Sequence, residues 1–224
     1  MSSNSRFKKT SYFETCEIKA NLYSQPGEVD FFMQDCPGCQ RFRWSMDVWC
    51  QDCFDSLKKI PSLSSDVITL FSYDEPLKKV LILYKATGSP VFESALLEAL
   101  KSCEDEWIEV VTWCETIVCA PQSLSSWLQL KSNPPRVLGH YLSQKFSKSL
   151  RYEPCGRGFR KQSSKQRVNR HKDILKRVAQ PGQERLLLID DVLTSGGTFL
   201  KLAAVYPRAQ IKILALMRSR AIDL

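Results

Sequence analysis

Two short stretches of this 224-residue chain carry side chains whose order can do chemistry. The first is Leu186–Thr198, LLLIDDVLTSGGT. An apolar run there meets two adjacent carboxylates, Asp190 and Asp191, and then a turn of Thr194, Ser195, Gly196, Gly197 and Thr198. Carboxylates repel phosphate oxygens and accept hydrogen bonds from hydroxyls. The turn does the reverse: its N–H groups and hydroxyls can converge on an anion, and the helix opening behind it adds partial positive charge. Glycines let the main chain come close to that anion. A ligand with a diol at one end and a phosphate at the other satisfies both halves, and ribose 5-phosphate fits. Asp190 and Asp191 would take the 2′- and 3′-hydroxyls, and Thr194–Thr198 the 5′-phosphate. Either half alone reads equally well as an ordinary strand end or glycine turn; the joined string points to a site.

The second stretch is Cys36, Cys39, Cys50 and Cys53, spaced C-x2-C-x10-C-x2-C. Each C-x-x-C can place two thiolates on one tight turn, and two such turns complete a tetrahedral Zn²⁺ shell with no open position, hence a structural site. Five further cysteines (Cys16, Cys103, Cys114, Cys119, Cys155) show no pairing pattern. An odd total of nine, with no secretory signal, suits a reducing compartment, where paired knuckles bind metal. Four unliganded thiols or a redox pair are the competing reading.

A third feature is charge. The net charge is +8, and residues 131–180 hold 14 Lys and Arg against Glu153 and Asp173. Such a field attracts phosphates, on a small molecule or on nucleic acid, although a solvated surface has the same composition. Gly156, Gly158, Gln162, Ser163 and Ser164 predict a mobile loop within it. Trp127, Tyr141, Phe146, Tyr152 and Phe159 interleave with the basic residues, as in a stacking surface for single strands, or as parts of a core. His140 and His171 are isolated and take no role.

The elements that must position these residues follow from periodicity. Residues 1–30 form a polar extension without an apolar h-region, and 31–58 the zinc module, with Trp44, Trp49 and Phe54 to pack it. Ile60–Ser65 links it to a domain spanning 66–224. There Val67–Tyr73, Thr116–Cys119, Arg185–Ile189 and Ile211–Met217 read as strands, and Glu75–Lys85, Val91–Leu100, Val137–Ser149 and Thr198–Val205 as helices. Strands alternating with helices predict an α/β fold with a mostly parallel sheet. No apolar run approaches the ~18 residues of a membrane span, and a soluble, cytoplasmic protein is expected.

Leu186–Thr198 resembles the phosphoribosyl-pyrophosphate-binding signature of type I phosphoribosyltransferases. Joined to a preceding four-cysteine module, it makes the chain similar to the ComF family from about Asp35 to Arg218. Tyr84, Lys85 and Gly88 match that family's Tyr-Lys-x-x-Gly, and Gln162 with Arg170 matches a Gln followed by Arg eight residues later, with Lys165 where the family has Leu. The family's Pro-Val-Pro and basic stretch after its first core strand are replaced by Cys119–Ala120–Pro121–Gln122, an uncharged Ser123–Leu130, and Ser132–Arg136. In type I enzymes this strand-end loop binds the pyrophosphate.

The resemblance implies displacement of pyrophosphate at C1 of phosphoribosyl pyrophosphate by an unnamed acceptor, with Mg²⁺ bridging the pyrophosphate and the ribose hydroxyls. Cations from the mobile loop, among Arg157, Arg160, Lys161, Lys165, Arg167 and Arg170 with Gln162 beside them, would close over the developing charge. The other function class is a non-catalytic protein that keeps a ribose-phosphate site and binds single-stranded DNA through the basic segment, for which the resemblance implies an accessory role in competence and DNA uptake.

Overall fold

A computed structural model describes residues 33–44, 47–121, 132–152 and 183–219, all within one compact unit. It opens with a short antiparallel hairpin of β1 (Met33–Asp35) and β2 (Phe42–Trp44), then a one-turn helix, α1 (Gln51–Asp55). The α/β domain follows as β3 (Val67–Ser72), α2 (Leu77–Thr87), α3 (Pro90–Lys101), α4 (Glu104–Trp113) and β4 (Thr116–Cys119). After these come α5 (Pro134–Phe146), β5 (Ser149–Tyr152), β6 (Glu184–Leu193), α6 (Gly197–Val205) and β7 (Ala209–Arg218).

Local chemistry sets the helix limits. In α2, Leu77, Val80, Leu81 and Tyr84 recur at helical spacing and are buried. Gly88 ends the helix with a left-handed φ of 69°, its N–H donating to the Tyr84 carbonyl. Pro90 starts α3 at a position where a missing N–H costs nothing. Asn133 caps α5 by accepting from the Arg136 N–H.

The larger sheet is parallel throughout, in the order β3-β7-β6-β4-β5. Residues alternate between its faces. Ile117, Leu187, Ile189 and Leu214 join the core beneath α2–α5, while Val118, Leu186, Leu188 and Ile213 pack with Phe199 and Leu202 of α6. Cys36, Trp49 and Cys53 belong to the first of these cores. Gly139 permits the close approach of α5 to β4, for a Cβ there would lie 2.4 Å from Cys119 Sγ.

Four details depart from the periodicity reading. Helix α4 was not anticipated, although three acids in its first turn and Trp107, Val110 and Val111 on one side are its signal. Helix α5 starts at Pro134 and stops at Phe146, where Ser147 turns left-handed with φ 51°. Residue 149, expected as its last, instead begins β5, an edge strand mostly exposed and without alternation. Strand β6 runs four residues past Ile189, so Asp190 and Asp191 stand inside its last turnless stretch, not beyond it.

Candidate functional site

Strand order creates the crevice. The chain leaves β4 for β5 on one flank and returns to β6 on the other, so the order reverses at β4. In such sheets the carboxyl ends at the reversal diverge and leave room for a ligand. Here those ends are Cys119–Pro121 of β4 and Asp190–Leu193 of β6, still joined by the Ala120 N–H donating to Ile189 O at 2.8 Å.

Asp190 and Asp191 are fixed by their own backbone. The Asp191 N–H donates to Asp190 Oδ1 at 2.9 Å, and the Val192 N–H donates to Asp191 Oδ1 at 2.8 Å. Asp191 is buried, and its Oδ2 forms an ion pair with Lys85 Nζ from the last turn of α2. Desolvation raises the Asp190 pKa well above the usual carboxylate range, and the Asp191 charge beside it pushes the same way; Lys85 only partly opposes them. The shift leans the Asp190 carboxyl toward its protonated form.

Behind the aspartates, Thr194 is exposed, Ser195, Gly197 and Thr198 are half-buried, and Gly196 is buried. Gly196 takes a left-handed φ of 67° as the residue before α6, a conformation that strains other residue types. The first N–H groups of a helix have no intrahelical partner, and α6 opens on this turn. The structure thus brings all seven sequence-predicted ribose and phosphate residues into one strand–turn–helix. In the sequence, Lys85 stands out only through the Tyr-Lys-x-x-Gly resemblance. Its place beside Asp191 rests on the last turn of α2 reaching β6, which no local pattern reveals.

The cysteines form a second cluster. The four Sγ atoms of Cys36, Cys39, Cys50 and Cys53 lie within 4.8 Å of one another, with Cys39 and Cys50 at 3.8 Å. A disulfide would need ~2 Å, whereas a tetrahedron with Zn–S of about 2.3 Å has S···S edges of about 3.8 Å. The donor set and its spacing fit a tetrathiolate metal centre. Desolvation raises the Cys36 thiol, but the amides of Cys50, Cys39 and Gly38 outweigh it and lower the pKa to about 6, which favours a thiolate. Burial raises Cys50 and Cys53, which a bound cation would reverse. Among the described residues no other group of His, Cys, Asp or Glu converges in this way.

No family model and no curated protein matches the chain. Solved structures do. An orotate phosphoribosyltransferase from Aeropyrum pernix is 16% identical, with a TM-score of 0.35 over 65% of this chain and 66% of that one. An adenine phosphoribosyltransferase is 16% identical, TM-score 0.36, over 75% and 88%. The adenine phosphoribosyltransferase from Saccharomyces cerevisiae, complexed with an imino-altritol bisphosphate and adenine, is 17% identical, TM-score 0.35, over 75% and 86%.

The remaining candidates divide. Tyr141 and Phe146 pack against the core, Phe146 edge-on to Trp107 at 5.9 Å, so they are structural. Tyr152 is exposed, with the Arg136 guanidinium 4.9 Å from its ring centre. Trp127, Arg157, Phe159, Arg160, Lys161, Gln162, Lys165, Arg167 and Arg170 lie outside the described residues. No helix among the described residues is long and apolar enough to cross a membrane.

Proposed function

We propose that the crevice between β4 and β6 binds a phosphorylated ribose, either ribose 5-phosphate or phosphoribosyl pyrophosphate. One observation carries the reading: a carboxylate pair and a glycine-capped helix start follow each other on a single strand–turn–helix at the point where the sheet order reverses. In this reading the free lone pairs of Asp191 accept a ribose hydroxyl. Asp190, held toward its protonated form, both donates and accepts. The N–H groups of Ser195–Thr198 hold the 5′-phosphate.

With phosphoribosyl pyrophosphate in place, the reaction class is displacement at C1. The C1–O bond to pyrophosphate breaks with its electron pair, and an acceptor of unassigned identity bonds to C1. Mg²⁺ would arrive on the pyrophosphate oxygens, the usual way this ion is held, and would neutralise the leaving group. Hard oxygens of Asp190 and Asp191 suit its neighbourhood. Cations of the segment containing Arg160, Lys161, Lys165, Arg167 and Arg170 are the proposed cover. The four-cysteine cluster takes Zn²⁺ as a structural ion, since all four ligands come from protein and none is left for substrate.

Calorimetry with ribose 5-phosphate tests the site. Asp191→Asn keeps the shape and removes a charged acceptor, and charge-assisted hydrogen bonds are worth about 1.5–3 kcal/mol, so affinity should fall about ten- to a hundredfold. Equal affinity of the wild type and both Asn variants would sink the assignment. Consumption of phosphoribosyl pyrophosphate in the presence of candidate bases separates a transferase from a binding protein. The single-strand DNA reading depends on residues outside the described ones, and a salt titration of DNA binding decides it: four engaged cations give a slope of about −3, a solvated surface none.

A further inference from the structure

We propose that Lys85 is a positioning residue of the ribose-phosphate crevice, its ammonium aligning the Asp191 carboxylate for the ribose diol and offsetting the negative charge that an incoming phosphate meets. This rests on the crevice being a ribose-phosphate site, and it gives α2, an element remote in sequence from the motif, a part in recognition.

The first support is burial. The Lys85 side chain retains 29% of its exposure and that of Asp191 only 10%, so the pair sits largely out of water, where a single charge counts for far more than on a surface. Among the described residues it is the one ion pair to either aspartate. The second support is that both partners are aimed. Asp191 Oδ1 is held by the Val192 N–H while Oδ2 faces Lys85, and each oxygen keeps a further lone pair for a ligand.

Lys85 is aimed by three contacts on the residue before it. The Tyr84 carbonyl accepts from the Gly88 N–H at 2.8 Å and from the Ser132 hydroxyl at 2.6 Å. The Tyr84 hydroxyl donates to Glu93 Oε2 of α3 at 2.6 Å, and Tyr84 itself is buried. The last turn of α2 is therefore clamped from two directions. Its carbonyl end also favours a cation at this position. An apolar residue at 85 would leave Asp191, whose side chain keeps only 10% of its exposure, without its ion-pair partner.

The test is a double-mutant cycle read by ribose 5-phosphate calorimetry. Lys85→Met keeps the aliphatic stem and should weaken binding about tenfold, the scale on which losing one partner of a buried charged hydrogen bond is felt. Lys85→Arg keeps the charge and should recover most of the affinity. The double variant Lys85→Met with Asp191→Asn should bind no more weakly than the poorer single variant, because each removes the same arrangement. A purely structural lysine predicts otherwise: Lys85→Met and Lys85→Arg would fall alike, and the two losses would multiply. Either result overturns the proposal, as does Lys85→Met binding like wild type. Should Lys85→Met not fold, Lys85→Gln takes its place in the cycle. Absence of ribose 5-phosphate binding by the wild type would overturn the crevice reading itself, an outcome distinct from failure of the cycle in a protein that does bind.

Discussion

In the four-cysteine cluster, side chains from two separate knuckles bring four thiols within 4.8 Å of one another; in the crevice, Asp190 and Asp191 are held by the amides of Asp191 and Val192 and by the ladder of β6. The first region is expected to take its shape together with a bound metal. The second is expected to hold its shape from the protein alone. The hairpin and α1 contribute too little apolar surface to fold unaided, so metal binding and folding there should be one event. The crevice instead borrows rigidity from a parallel sheet covered on both faces.

The two regions are nevertheless not independent. Trp49 Nε1 donates to the Ala95 carbonyl of α3 at 3.0 Å, and Lys79 Nζ of α2 donates to the Gly38 carbonyl at 3.2 Å. A Cβ on Gly38 would lie 2.9 Å from Cys53 Sγ and 3.1 Å from both Pro76 and Trp49, so the first knuckle is pressed against the start of α2.

The largest expected effect follows from this contrast. Chelation of the metal, or Cys50→Ser, should unfold the knuckles, make residues 33–58 sensitive to protease and strip Cys36, Trp49 and Cys53 from the shared core. Losing a buried tryptophan's packing alone costs about 3–5 kcal/mol. At about 2–4 °C per kcal/mol for a chain of this size, the melting temperature should drop by about 6–20 °C. Asp191→Asn should leave protease resistance intact. Elemental analysis showing no metal, or a Cys50→Ser protein as resistant as wild type, would erase the contrast.

A middle-sized effect probes how the crevice keeps its preformed shape. Gly139→Ala drives a Cβ to within 2.4 Å of Cys119 Sγ, at the carboxyl end of β4 that lines the crevice. Overpacking of this kind costs about 1–3 kcal/mol, against a gain of about 1 kcal/mol in helix propensity. Urea titration should show net destabilisation in the wild-type background and none, or a gain, when Cys119→Ala is also present. Equal cost in both backgrounds would mean that α5 does not rest on β4 through this pair.

Much of both regions could be read from sequence because each is local. The knuckle spacing and the string Asp190–Thr198 carry their chemistry within a few residues, and the short apolar runs at Thr116–Cys119 and Leu186–Ile189 read as buried strands. What could not be read is what the tertiary fold brings together. Lys85 lies more than a hundred residues from Asp191 in the chain. The packing of Gly38 on Pro76 is equally non-local. β5 was missed because its four residues, paired on one side only, have neither alternation nor burial to mark them. The extension of β6 through both aspartates was missed because acids disfavour strands intrinsically, and the ladder to Ala215 and Met217 overrides that preference.

The smallest effect has the opposite sign from the others. A carboxyl whose folded pKa is raised loses folding stability as the pH climbs: below its unfolded value of about 3.9 both states hold the proton, and above it the unfolded chain ionises freely while the folded one must keep the proton or place a charge beside Asp191. Wild-type stability should therefore carry a penalty that grows above about pH 4. Asp190→Asn removes the ionisation but keeps an oxygen to accept the Asp191 N–H. It should stabilise the protein at pH 7 by about 1 kcal/mol, the size common for single stabilising substitutions, while ribose 5-phosphate binding weakens. At pH 3.5 the gain should vanish. Melting curves of the two proteins across that range supply the check, and a variant less stable than wild type at pH 7 would show that Asp190 is carried as a well-compensated carboxylate. The cysteine cluster should offer no such variant, because every substitution there removes a thiol of the proposed metal centre, whereas in the crevice Asp190 is expected to lower the stability of the fold. That asymmetry is expected of a site whose shape is set before its ligand binds.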